Sequence, residues 1–291
     1  MRSMTLGISA VLLAASVVSM AAPEPCPPCE EWNRPHKPFK LLGNSYFVGT
    51  NGLSAVLITS PAGHLLIDGG LDMSAPQIAA NIAKLGFELK DVRIIVNSHT
   101  HYDHAGGIAE LQRLSGAKVL ASPLAAQALR TGMPVPSDPQ AALQEGFPRV
   151  AAVEEIKDRE VLRVGDLAVT VHFTPGHTPG GTSWTWQSCE ANRCLNLVYG
   201  DSLTAVSADG FHFSGDKRWP TAAAEFRSTL DKVERLPCDI LVTAHPSIAG
   251  LWEKLAARDA GNADALVDPN ACRAYAASAR ERLTKRLDEE R

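Results

Sequence analysis

A chain of 291 residues with 45% hydrophobic and 21% charged side chains carries enough apolar material to bury a sizeable core, which excludes disorder as its main state. Its 28 Lys and Arg against 32 Asp and Glu leave a formal charge of −4, so it offers no basic field to a polyanion or to an acidic lipid surface. Neither nucleic acid nor a membrane is an expected partner.

In chain order, the first element is a signal. Arg2 precedes an apolar run from Leu6 to Val18 that is too short to span a bilayer, and Ser19-Met20-Ala21 has the small-x-small form of a cleavage site. Residues 1–21 are therefore expected to be a secretory signal, 22–44 an extended segment and 45–291 one domain, placed in the periplasm. Export makes six cysteines read as disulfides rather than as metal or redox groups. Cys26-Pro27-Pro28-Cys29 has CxxC spacing but lies in a Pro-rich leader, so a structural or free thiol pair is expected there. Cys189 and Cys194 flank a Glu-Ala-Asn-Arg turn and suit a hairpin staple, which leaves Cys238 and Cys272 as a longer-range pair.

Runs rich in β-branched and aromatic residues at 45–50, 54–60 and 64–68 predict a meander. Ser74, with Gln77 three residues on, then opens an amphipathic helix bearing Ile78, Ile82 and Leu85, and Gly86 closes it. Residues 92–97 are continuously apolar through Ile94, Ile95 and Val96, as a strand covered on both faces requires. A helix over 107–114, a strand over 118–121 and a helix over 125–130 follow, then a Pro- and Gly-containing connection from 131 to about 166 with no regular pattern. Strands resume at 167–174, 183–187 and 195–199. Thr221 caps a helix with Phe226, Leu230 and Val233, and a last strand at 240–242 ends near His245. Two βα-rich halves without a linker, with polar residues gathered at strand ends, imply a layered α/β sandwich with its site at one sheet edge.

The chemistry gathers after the strand at 92–97. In Asn97-Ser98-His99-Thr100-His101-Tyr102-Asp103-His104, three imidazoles and a carboxylate occupy six positions, the composition of a metal site. His99 and His101, two apart in extended chain, point the same way and can share an ion, while Asp103 and His104 turn into a helix start and can reach a second. His177, in a Gly-rich turn, and His245, after the last strand, are available to complete such sites. His36, His64, His172 and His212 lack that context and read as structural or solvated.

These residues together resemble the metallo-β-lactamase superfamily: the His99/His101/Asp103/His104 run, His177, His245 and Asp68 in Ile67-Asp68-Gly69-Gly70. The likeness runs from about Tyr46 to Tyr275. Within that superfamily the chain is most similar to class B β-lactamases of the third subclass, since Ser202 stands where the first subclass carries a cysteine and Cys238 and Cys272 match the bridge of the third. The resemblance implies a single-domain, four-layer αββα sandwich. It implies two zinc ions, one on His99, His101 and His177 and the other on Asp103, His104 and His245. It further implies hydrolysis of a lactam amide by a hydroxide that zinc generates and Asp103 orients, with Ser202 and Thr204 receiving the substrate carboxylate. Penicillins, cephalosporins and carbapenems are the expected substrates, small molecules turned over by a monomer, so that the enzyme confers antibiotic resistance.

Asp68 reads either as a support behind a ligand or as a turn former before two glycines. Gly200-Asp201-Ser202-Leu203 also fits thioesterases of the same superfamily, in which the Asp bridges both metals, so a thioesterase or lactonase is the alternative. A non-catalytic zinc-binding module is the third reading.

Overall fold

The computed structural model describes residue 26 and residues 28–291, so the expected signal over 1–21 lies outside the described residues. A seven-stranded sheet runs in sequence order β1 (Phe39–Leu42), β2 (Ser45–Phe47), β3 (Val56–Ser60), β4 (Gly63–Ile67), β5 (Val92–Val96), β6 (Lys118–Ala121) and β7 (Val153–Glu155). Its first four strands are antiparallel neighbours and its last four parallel ones. A five-stranded sheet takes the order β12-β11-β10-β9-β8, from β8 (Val161–Val164), β9 (Leu167–Phe173), β10 (Thr182–Glu190), β11 (Arg193–Gly200) and β12 (Ile240–Thr243).

Alternation along the strands decides what lies between the sheets. Val56, Ile58, Leu65, Ile67, Ile94 and Val96 of the first sheet meet Val169, Val171, Trp184, Leu197, Tyr199 and Val242 of the second in one buried cluster. The opposite face of the first sheet is covered by α2 (Ala75–Lys84), α4 (Ile108–Ser115) and α5 (Pro123–Thr131), and that of the second by α6 (Ala222–Glu234) and α8 (Ala271–Glu289). This is the expected four-layer αββα order. β5 has helices on one side and a sheet on the other, which is why Ile94, Ile95 and Val96 are all buried without alternation.

Several local expectations change. The segment 22–44, expected to be extended, contains the helical turn α1 (Cys29–Trp32) and β1, so a domain boundary at 45 would cut the β1–β2 hairpin. Ser74 stands at the start of α2 as expected, but its hydroxyl makes no capping bond: it accepts the Leu71 N–H at 3.1 Å and donates to Asn33 Oδ1 at 2.6 Å, tying the end of α1 to the start of α2. The Thr221 hydroxyl likewise donates to the Glu225 side chain rather than to a backbone group. The region 131–166 is not wholly irregular, since it holds β7 and β8. Those strands have three and four residues, and half or more of each is exposed, so they carry little apolar signal. Cys26–Cys29, Cys189–Cys194 and Cys238–Cys272 are all disulfides.

Candidate metal centre

Every expected ligand sits at the carboxyl end of a strand, where an open parallel arrangement leaves a crevice. β5 runs out through Asn97 to His101, α3 (Tyr102–Ala105) then turns Asp103 and His104 inward, the β9–β10 turn carries His177, and β12 leads to His245. The motif loop packs against the end of β4 so tightly that a Cβ on Gly107 would overlap the Gly69 carbonyl, which explains the glycines on both sides. Asp68, just before them, takes φ 64°.

The side chains converge as two sets. Rings of His99, His101 and His177 form a nearly equilateral triangle with centroids 4.7, 4.8 and 4.8 Å apart, and a nitrogen from each lies within 4.8 Å of the others. In the second set, His104 Nε2 is 3.2 Å from Asp103 Oδ2 and 3.2 Å from His245 Nε2, and His245 Nε2 is 3.4 Å from Asp103 Oδ2. A tetrahedral zinc with ligands at 2.0–2.1 Å sets them about 3.3 Å apart. The second set therefore already has the edge lengths of such a site, and imidazole nitrogens with a carboxylate are the donors zinc takes. The two sets adjoin, with the His99 and His104 rings 4.3 Å apart at their centroids.

What fixes the rings is the nitrogen on the far side of each. His99 Nδ1–H donates to Asp201 Oδ1 at 2.8 Å, and His101 Nε2–H to Asp138 Oδ2 at 3.1 Å. His177 Nδ1–H faces the Thr204 carbonyl at 3.0 Å and its hydroxyl at 2.8 Å, and His245 Nδ1–H donates to the Gly52 carbonyl at 3.1 Å. His104 Nδ1 stands 3.6 Å from Asp68 Oδ2. His99, His101, His177 and His245 are thereby each committed to one tautomer with the other nitrogen turned into the centre, the arrangement that orients histidine ligands, whereas His104 Nδ1 has no hydrogen-bond partner.

The electrostatics follow from burial and crowding. Burial and the neighbouring imidazoles push His99 well below the ordinary histidine range, and burial brings His177 down to about 3 and His245 to about 4. These rings are neutral and can donate lone pairs at any physiological pH. Burial alone would also lower His104, but the Asp103 and Asp68 carboxylates outweigh it and raise that imidazole to about 10. Burial would raise Asp103, yet His104 holds it below the ordinary carboxylate range.

The structure brings together all six expected ligands and defines their supports. Asp68 is a support as well as a turn former: it accepts from the Ser98 N–H at 2.6 Å, the Ser98 hydroxyl at 2.7 Å and the Tyr199 hydroxyl at 2.7 Å. Asp201 lies behind His99, fully buried, rather than between the two sets. The Thr204 hydroxyl, expected to meet substrate, faces His177 Nδ1, while the Ser202 N–H donates to Asp201 Oδ1. Sequence reasoning missed Asp138, Gln140, whose amide stands 3.4 Å from His177 Nε2, and Trp32, whose ring lies 5.3 Å from that of His245. The signal for Asp138 was available, because Asp138 and Glu145 are the carboxylates in the Pro-rich stretch 131–148.

Fold and centre together define a metal-binding αββα sandwich of the hydrolase type. The family model described as the metallo-β-lactamase superfamily matches residues 48–191. Among solved structures, the Rm3 metallo-β-lactamase is 53% identical, covering 92% of this chain and 99% of its own with a TM-score of 0.90. MEM-A1, a subclass B3 metallo-β-lactamase from a soil metagenome library, is 49% identical over 89% and 98% of the two chains with a TM-score of 0.87. A curated relative, the hydroxyacylglutathione hydrolase of Bradyrhizobium sp. (strain ORS 278), is 31% identical over 130 residues, 44% of this chain. The chain spans only about four-tenths of that protein's length. The chain belongs to the metallo-β-lactamase superfamily, where it stands with the subclass B3 enzymes.

Proposed function

We propose that the chain is a two-zinc hydrolase that opens the amide of β-lactam rings, penicillins, cephalosporins and carbapenems alike. The observation that carries this reading is the pair of adjoining donor sets, three imidazoles beside Asp103, His104 and His245, in a chain alike over nearly its whole length to subclass B3 enzymes. Zinc bound there supplies a Lewis acid for a carbonyl and lowers the pKa of water to about 7. Asp103, at the edge of the second set, accepts a hydrogen bond from the attacking water and aims it. Ser202 and Thr204 offer hydroxyls to the substrate carboxylate. Thr204 can do so without releasing His177, because its carbonyl remains as an acceptor for Nδ1–H. Asp68, Asp138 and Asp201 hold the rings from behind and meet no substrate.

Three disulfides support export, and with it the expected signal over 1–21 and a periplasmic location where cell-wall antibiotics act. Among the described residues no helix is long and apolar enough to cross a membrane. The relatives that hydrolyse hydroxyacylglutathione make a thioester the second substrate to test. Against it stands the position of Asp201, with Oδ1 bound to His99 Nδ1 instead of facing the centre. The test is hydrolysis of a β-lactam panel by zinc-loaded protein beside a thioester and a lactone. Turnover of the lactams, a carbapenem included, is expected. Rapid thioester turnover with no lactam opened would overturn the proposal.

A further inference from the structure

Segment 201–220, between β11 and α6, has neither strand nor helix, yet it carries Asp201 and Thr204, which orient His99 and His177. A buried irregular segment must find partners for its backbone groups elsewhere. Here one stripe of α8 supplies them. The Tyr275 hydroxyl donates to the Asp201 carbonyl at 2.7 Å and accepts the Leu203 N–H at 3.0 Å. Arg282 donates to the Leu203 carbonyl at 3.3 Å, and Arg286 Nη2 to Ser207 Oγ at 2.7 Å and the Phe211 carbonyl at 2.8 Å. Glu290, at the end of the helix, accepts the N–H groups of Phe213 and Ser214 at 2.9 and 2.7 Å and is itself held by Arg286 Nε at 2.6 Å. From Tyr275 to Glu290 the grip extends about 22 Å at 1.5 Å per residue. The start of the helix is tied by Cys272 to Cys238, just ahead of β12.

The gripped segment also reaches the third ring. Ala208 N–H donates to the Pro139 carbonyl at 2.9 Å, which joins it to the turn whose Asp138 holds His101. All three outer nitrogens of the first set therefore depend on it. In the second set, His245 Nδ1 is held by the Gly52 carbonyl and His104 lies beside Asp68, both in other segments.

We propose that α8 is the positioning element of the three-histidine metal position, its Tyr275, Arg282, Arg286 and Glu290 holding segment 201–214 in the conformation from which Asp201 and Thr204 orient His99 and His177. The inference rests on the reading of those histidines as zinc ligands and is independent of which substrate is turned over. Loosening the far end of the grip weakens one zinc and spares the other.

The experiment is zinc titration of the metal-free full chain against a chromophoric chelator, for the wild type, Arg286→Ala, Glu290→Ala and Arg280→Ala. Arg280 lies on the same helix but pairs with Asp231 and Glu234 of α6. Arg286→Ala and Glu290→Ala should each weaken one equivalent about tenfold, the low end of what losing a ligand's partner costs, and leave the other unchanged. The Nδ1–H resonances of His99 and His177 in the zinc-loaded protein should move, while Arg280→Ala matches the wild type in both readouts. Two equivalents weakening alike in step with the thermal midpoint, or no weakening at all, would overturn the proposal. A wild type that binds two zinc ions but opens no β-lactam would remove the proposed function and leave this inference standing. A wild type that binds none removes both.

Discussion

Replacing Asp201 separates a support from a ligand. Its Oδ1 accepts the His99 Nδ1–H and the Ser202 N–H, each at 2.8 Å, and the residue is fully buried. Asp201→Ala leaves two buried donors unpaired, at about 1–3 kcal/mol each, against about 5–15 kcal/mol for the stability of a whole domain. The variant should therefore fold. It should lose about 10- to 100-fold in affinity for one zinc, since His99 is then free to turn. Asp201→Asn keeps an acceptor for His99 in nearly the same volume. The amide oxygen can still accept both the His99 Nδ1–H and the Ser202 N–H, so most of the affinity should remain. Elemental analysis and competitive zinc titration of both variants measure the difference. A bridging carboxylate behaves otherwise, because an amide cannot replace it between two cations. Asp201→Asn losing both zinc ions as completely as Asp201→Ala would refute the placement of Asp201 behind His99.

Ser202→Ala should raise KM more than it lowers kcat, as the loss of a carboxylate contact made in both ground and transition states does, and equal falls in kcat and kcat/KM would count against that role. Removing the Cys238–Cys272 bridge, which closes a separation of 34 residues, should cost about 4 kcal/mol in the chain-entropy model, read from denaturant unfolding of a double serine variant in which the other two bridges are confirmed by mass spectrometry. His64 is buried with Nδ1 unpartnered, and burial lowers its pKa from the ordinary 6.5, so the unfolded chain takes up a proton that the folded chain refuses. Its contribution is intact above pH 6.5 and is lost as the pH falls through the folded value. His64→Phe keeps the edge contact with Phe87 and should gain on the wild type in urea midpoint between pH 7 and pH 5, whereas a difference constant with pH would rule this account out.

The expected ligands were legible because three imidazoles and the carboxylate lie within six residues, where strand and helix geometry alone decide which side chains can share an ion. His177 and His245 were legible more weakly, from strand ends. The supports were not, since Asp138 meets His101 across 37 residues and the Gly52 carbonyl meets His245 across 193, and no local pattern encodes such pairs. α8 escaped for a different reason. Its buried side is Ala271, Cys272, Tyr275, Ala276, Ala279, Leu283 and Leu287, and a stripe made mostly of small residues shows little helical periodicity. Ser74 and Thr221 do stand where their helices begin, but neither hydroxyl caps the backbone, because both found tertiary or side-chain partners that a motif read along the chain does not weigh.

The two sheets contribute different parts of the centre, so its geometry is only as good as their register. His99, His101, Asp103 and His104 follow β5 of the first sheet, while His177, Asp201 and His245 come from the second. Apolar packing between the sheets is non-directional and would tolerate a small slide. Directional bonds cross the sandwich immediately beneath the two donor sets. The Tyr199 hydroxyl of β11 meets the Ser54 carbonyl at 3.0 Å as well as Asp68, the Ser54 hydroxyl donates to the Thr243 carbonyl at 2.7 Å, and the Trp184 Nε1–H donates to the Asn97 carbonyl at 3.1 Å. The Thr182 N–H reaches the Ser98 carbonyl at 2.8 Å, next to His99 itself. All of these groups are buried, where an unpaired partner costs about 1–3 kcal/mol, so a slide that broke several would be opposed far more strongly than by loss of apolar contact over the same distance. The polar seam thus converts a well-packed but slippery interface into a fixed one at the end where the donor sets must meet to within a few tenths of an ångström.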